Sequence, residues 1–160
     1  MTTLLDTNVI AALLKNDHKF HDWAVRVFNE RKLEGPTAIV DIVYCECSIV
    51  YDQSSDLDNI LAGLGIDRIP ASNRALHRSG QAYMVYKNAN KGVHRKGVLP
   101  DFTIGGIAVD EQLPLMTSNP GDFTKYYPDI VLLQPTEEEM AAVGNEVSEE
   151  PRLYVADIAK

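Results

Sequence analysis

The sequence predicts an α/β protein built on a parallel sheet. Two observations carry that prediction: short β-prone runs alternate with helical patterns from residue 2 to about residue 133, and Asp, Ser, Gly or Pro residues punctuate the changes. A third bounds it. At 160 residues with 45% hydrophobic content, the chain suffices for one domain burying roughly two-thirds of its unfolded surface, and not for two.

The elements follow in order. Thr2 to Leu5 is β-prone and is halted by Asp6; Asn8 to Lys15 then carries apolar residues at helical spacing. His18 to Leu33 places Phe20, Trp23, Ala24, Val27 and Phe28 on one face of an amphipathic helix that ends near Gly35-Pro36. Thr37 to Val40 is a second strand, after which Asp41 caps a helix expected to run to about Asp52. Ser54 to Gly65 reads as a helix with an acidic start and a glycine stop, Ile66 to Ile69 as a strand, and Pro70 opens a helical pattern lasting to about Asn90. Lys91 to Leu99 is a loop, Phe102 to Glu111 a helix capped by Asp101, Leu115 to Ser118 a strand, Asn119-Pro120-Gly121 a turn, and Ile130 to Leu133 a last strand. Short strands alternating with helices imply a parallel sheet covered on both faces.

Residues 1–134 form the expected domain, and 135–160 an acidic extension. The extension holds seven acids against two bases, which leaves residues 1–134 at 16 acids and 13 bases. The body is thus only mildly acidic, which argues against binding nucleic acid by bulk charge but permits a local basic strip. Within the extension, Thr136 to Glu139 has the pattern of a capping box opening one short helix. Cys45 and Cys47 lie two apart in a helical pattern, about 200° around the axis from each other, so they do not pair and are read as reduced thiols. No apolar run reaches membrane-span length and the N-terminus has no secretory pattern, so a cytoplasmic protein is expected.

Four carboxylates draw notice. Ligands of an open parallel sheet bind outside the carboxyl ends of the strands, where Asp6, Asp101 and Asp122 fall. Glu46 has Ile42, Val43, Ile49 and Val50 as its helical neighbours, and an acid in an apolar stripe is costly to bury without a hydrogen bond, a counter-charge or a cation. Taken singly, Asp6 and Asp101 read as helix caps and Asp122 as a turn residue. Taken together, carboxylates at one rim repel unless a cation sits among them, and hard oxygen ligands suit Mg²⁺ or Mn²⁺.

LLDTNVIAAL around Asp6, IVDIVYCECSIV around Glu46, LPDFTIGGIAV around Asp101 and LMTSNPGDF around Asp122 resemble, in that order, the four acidic motifs of PIN-domain ribonucleases. The likeness covers about residues 2–134 and is nearest to VapC-like toxins of toxin–antitoxin pairs, whose R-x-x-x-x-P-D-x-x-I-x-x-x-A and T-x-N-x-x-D-F patterns fit Arg95 to Ala108 and Thr117 to Phe123. The resemblance implies a three-layer α/β/α domain around a parallel sheet and metal-dependent endonuclease activity on RNA. It also implies a homodimer and a small VapB-like antitoxin as partners. One departure stands out: many members carry an acid where Asn119 stands, so Asp122 is expected to supply the fourth carboxylate, with Asn119 in a supporting contact.

On this reading Asp6, Asp101 and Asp122 hold Mg²⁺ or Mn²⁺, and Glu46 binds a second metal or orients the attacking water. Thr7, Asn8 and Thr117 hydrogen-bond the carboxylates or the phosphate. Lys91, Arg95 and Lys96 contact the RNA backbone; Lys87 reads equally as a helix-end cation. Two other readings compete. A haloacid-dehalogenase-type phosphatase wants a second Asp two residues after the first, where this chain has Asn8. A catalytically inactive PIN-like module binding RNA or protein has no reason to keep four acids at one rim.

Overall fold

Thr3–Leu5 (β1) and Thr37–Val40 (β2) are buried at every residue. Successive strand side chains point to opposite faces, so uninterrupted burial means that both faces of the sheet are covered. The computed structural model describes residues 1–90 and 98–143. β1 pairs in parallel with β2 on one side and with Leu115–Met116 (β4) on the other; Ile66–Ile69 (β3) adds to β2, and Leu132–Leu133 (β5) to β4. The resulting order is β3-β2-β1-β4-β5.

The helices are Thr7–Leu14 (α1), His21–Glu34 (α2), Asp41–Ser48 (α3), Ser54–Leu64 (α4), Asn73–Ala89 (α5), Leu99–Asp110 (α6), Gly121–Tyr126 (α7) and Glu137–Ala142 (α8). α2, starting at His21 rather than His18, buries Trp23, Ala24 and Phe28 from the expected face, with Phe20 buried just before it and Val27 half-buried, and α4 stops at Gly65, whose φ of 64° is the left-handed conformation that favours glycine. α8 opens on the expected capping box between Thr136 and Glu139. Glu139 also reaches Arg26 of α2, 2.7 Å away.

Several boundaries differ from the sequence reading, each for a local reason. α3 ends at Ser48 rather than near Asp52, because the Ser48 hydroxyl donates back to the Tyr44 and Cys45 carbonyls and β-branched Ile49 and Val50 follow. Asp41 is not its cap: it is the first helical residue, with an oxygen 3.4 Å from Arg68 Nε. α5 starts at Asn73, not Pro70, since the Ser72 side chain caps it by accepting from the Ala75 N–H. α6 begins two residues before the expected cap. Pro100 occupies its first turn, so Asp101 lies inside that turn rather than at the N-cap. The turn at Asn119 to Gly121 leads directly into α7, a helix the sequence reading missed, and Asp122 sits in its first turn.

α6 is the central helix, with Phe102, Ile104, Gly105, Gly106, Ile107 and Ala108 buried. Its two glycines permit close approach. A Cβ on Gly106 would fall 2.1 Å from Ser79 Oγ and 2.8 Å from the Ala75 carbonyl oxygen of α5. At Gly105 the obstacle would be the Tyr127 ring. Phe102 packs among Tyr83 and Tyr86 of α5 and Tyr126 and Tyr127 at the end of α7, with ring centroids 5.2–6.1 Å apart.

Candidate metal centre

The chain runs from β1 outward to β2 and β3, then crosses back to β4 on the other side of β1. That reversal opens a crevice beyond the carboxyl ends of β1 and β4, the place where open parallel sheets bind ligands. Asp6 follows β1 directly and Thr117 follows β4 directly. The Asp6 N–H donates to the Met116 carbonyl at 3.0 Å, which locks the two strand ends together.

Asp6 is buried, and its carboxylate accepts three hydrogen bonds: from the Thr7 N–H at 2.7 Å, from Asn8 Nδ2 at 2.6 Å and from the Thr117 hydroxyl at 2.7 Å. It therefore caps α1 as the sequence suggested, and it also centres a wider network. Asn8 donates to Thr117 Oγ1 at 3.2 Å and accepts from the Ser118 N–H at 3.0 Å. Thr117, fully buried, accepts in addition from the Asn119 N–H at 3.0 Å. The Thr7 hydroxyl donates to Glu46 Oε2 on α3, so a single residue ties two carboxylates.

The electrostatics follow from this packing. The Asp6 carboxyl is pushed up to about 6, chiefly by burial and secondarily by the charge of Glu46, against the lowering effect of the Thr117, Thr7 and Asn8 donors. Burial also pushes the Cys47 thiol up to about 12, with help from Glu46 and Asp6. A protonated thiol is neither nucleophile nor metal ligand, which leaves carboxylate oxygens as the chemistry of the site. Asp6 and Glu46 form a pair of hard donors whose mutual repulsion a cation would relieve. Among the described residues no three His, Cys, Asp or Glu side chains are gathered closely enough to hold a metal ion. Mg²⁺ commonly keeps several waters and takes only one or two protein carboxylates, so this donor pair fits it.

Thr7, Asn8 and Thr117 thus join Asp6 and Glu46 in one hydrogen-bonded group. Asn119 contributes its backbone N–H. Glu46, expected beside a second metal or the attacking water, is Asp6's immediate electrostatic neighbour. Asp101 and Asp122 are half-buried in the first turns of α6 and α7, the two helices that the Phe102 aromatic cluster holds together. Tyr127 strengthens that link by donating its hydroxyl to the Phe102 carbonyl at 2.6 Å, next to Asp101 in the chain. Lys91, Arg95 and Lys96 lie outside the described residues. Lys87 sits in the last turn of α5, over the Tyr83 ring. Sequence reasoning missed Ser118, whose backbone orients the Asn8 amide; its adjacency to Thr117 was the available signal.

No protein-family model and no curated protein matches the chain. Solved structures do. A structure of VapBC2 from Rickettsia felis bound to a promoter DNA fragment aligns with a TM-score of 0.63 at 21% identity, covering 85% of this chain and 100% of that one. VapBC-1 from nontypeable Haemophilus influenzae aligns with a TM-score of 0.62 at 19% identity, over 84% and 98%. A toxin–antitoxin complex from Klebsiella pneumoniae aligns with a TM-score of 0.50 at 25% identity, over 81% and 95%. At such identities the likeness establishes architecture: the chain has the PIN-like α/β/α fold, a five-stranded parallel sheet between helices, that it shares with VapBC toxin–antitoxin structures.

Proposed function

We propose that the chain is a Mg²⁺- or Mn²⁺-dependent endoribonuclease and the toxin component of a VapBC-type pair. The observation that carries the reading is Asp6: a buried carboxylate at the switch point of the sheet, fixed by three donors and set beside Glu46. A protein that needed Asp6 only as a helix cap would not bury it against a second acid. The shared fold supplies the second support, and the resemblance of the four acidic motifs the third.

Asp6 and Glu46 would hold the cation directly, with Asp101 and Asp122, in the first turns of α6 and α7, reaching it through bound waters. The bound ion would supply Lewis-acid polarisation of the phosphodiester and a water of lowered pKa. The protein's own part is positional: Thr117 and Asn8 fix the Asp6 carboxylate, and Thr7 holds Glu46, which would orient the attacking water. Lys91, Arg95 and Lys96, in the segment leading into α6, would contact phosphates of the RNA. The partners on this reading are an RNA substrate, a VapB-like antitoxin and a second copy of the chain.

The test is incubation of the purified chain with a pool of structured cellular RNAs and Mg²⁺ or Mn²⁺, with chelator and Asp101→Asn controls. Cleavage at a few sites, abolished by chelator and reduced about a hundredfold or more in Asp101→Asn, is the expected result. Folded, antitoxin-free protein that cuts nothing, yet still binds RNA, would replace the proposal by an inactive PIN-like binding module.

A further inference from the structure

At the far end of α6, about 13 Å along the helix from Asp101, lies a polar cavity. It has a volume of about 310 Å³ and is lined by Arg74 and Arg78 of α5, Val109 and Asp110 at the end of α6, and Gln112 just beyond. None of these residues belongs to the carboxylate network around Asp6.

Its charges are unequally available. The Asp110 side chain is 2% exposed and already engaged, accepting from the Ser72 hydroxyl at 2.9 Å and from Arg74 Nε at 2.6 Å. Arg74 spends only its Nε there and is 77% exposed, so its two terminal nitrogens face solvent. Arg78 stands one helical turn further along the same face, exposed, near enough to feel Asp110 electrostatically. Open to a ligand, then, are guanidinium donors, while the one acid is buried beneath them.

Gln112 supplies an independent sign. α6 ends in a Schellman motif, with the Leu113 N–H on the Ala108 carbonyl at 2.9 Å and the Gln112 N–H on the Val109 carbonyl at 3.3 Å. The residue closing that motif takes φ of 54°, a position where glycine is strongly favoured, and among the described residues it is the non-glycine residue with positive φ. Here an amide-bearing residue occupies it despite the conformational cost, and that residue lines the same cavity as the two arginines. Strain retained at a pocket wall argues for use of the side chain.

We infer that Arg74, Arg78 and Gln112 form a phosphate-binding site, separate from the carboxylate centre, that takes a phosphate group either of an RNA backbone or of a free phosphate or mononucleotide. Two forked guanidinium groups and an amide N–H₂ match the oxygens of a tetrahedral oxyanion. The site does not depend on the chain being a nuclease.

The experiment uses the full chain with chelator present, so that no cleavage intervenes. Arginine Nε–Hε resonances are followed by NMR while inorganic phosphate, adenosine monophosphate or a short single-stranded RNA is added at fixed ionic strength. Saturable shifts at Arg74 and Arg78 are expected, with affinity falling about tenfold in Arg78→Glu and severalfold in Gln112→Gly. Gln112→Gly also guards against misfolding as an explanation, because glycine suits the left-handed position and should raise the thermal midpoint while weakening binding. Shifts with RNA that inorganic phosphate competes away identify a nucleic-acid backbone contact; shifts with the small phosphates alone identify a free-phosphate site. Absence of saturable shifts, equal shifts with acetate, or full affinity in Gln112→Gly would overturn the assignment.

Discussion

The rim around Asp6 and the contact between α5 and α6 are built on opposite principles. At the rim a buried acid faces a second acid, and the Thr7 N–H, the Asn8 amide and the Thr117 hydroxyl hold the first in place. Between α5 and α6 the surfaces meet through Gly106, Ala75 and Ser79, and an aromatic cluster closes one end. The first region is a source of strain; the second is the packing that offsets it. Function at the rim is tolerable because stability is supplied elsewhere.

The largest effect should come from breaking the helix contact. Gly106→Ala places a methyl group against Ser79 Oγ and the Ala75 backbone, and backbone cannot rotate away. A loss of about 3 kcal/mol in urea unfolding is expected, with Gly106→Ala no less damaging to the rim variants than to the native chain. A loss under about 0.5 kcal/mol would show that the helices separate easily and that the contact is not the stabilising region.

Next comes the strain at the rim, read through pH. The folded state holds the Asp6 proton up to about 6, whereas the unfolded chain releases it near 3.8. Between those values the folded state binds more protons, so metal-free stability falls as pH rises from about 4 to about 6, by on the order of 3 kcal/mol. Adding Mg²⁺ or Mn²⁺ above pH 6 should recover much of that loss, since a ligand that binds only the folded state stabilises it. Glu46→Gln removes the neighbouring charge and should make the profile only slightly shallower, since burial is the main cause of the Asp6 shift, while weakening the response to the ion. A flat profile in the native chain would mean that Asp6 ionises normally and that the rim carries no strain.

The smallest effect joins the two regions. Tyr127→Phe keeps the ring against Gly105 and removes only the hydrogen bond to the Phe102 carbonyl, a loss of about 1 kcal/mol. Because that carbonyl belongs to the turn bearing Asp101, the Mn²⁺ concentration giving half-maximal binding should rise severalfold, measured by calorimetry. An unchanged midpoint would separate the aromatic cluster from the carboxylate centre.

Much of this was legible along the chain. The β1, β2 and β3 strands, the glycine stop at Gly65, the capping box at Thr136 and the residues of the α2 face all follow local rules of propensity, capping and periodicity. Asp6, Thr7, Asn8 and Thr117 were nameable because punctuation after a strand marks the ligand-binding rim. The missed boundaries were decided by a hydroxyl reaching back into its own helix at Ser48, a proline opening a helix early at Pro100, and a six-residue helix too short to show a period at α7.

The sequence by itself determined the elements and their alternation, and so the parallel α/β architecture, because period and punctuation are local properties. Only the tertiary structure decided that Thr7, beside Asp6, would reach Glu46 across 39 residues, and that Gln112 would line one cavity with two arginines. Those juxtapositions arise from strand order and from how closely one helix crosses another, quantities set by the sum of all contacts and written in no single segment.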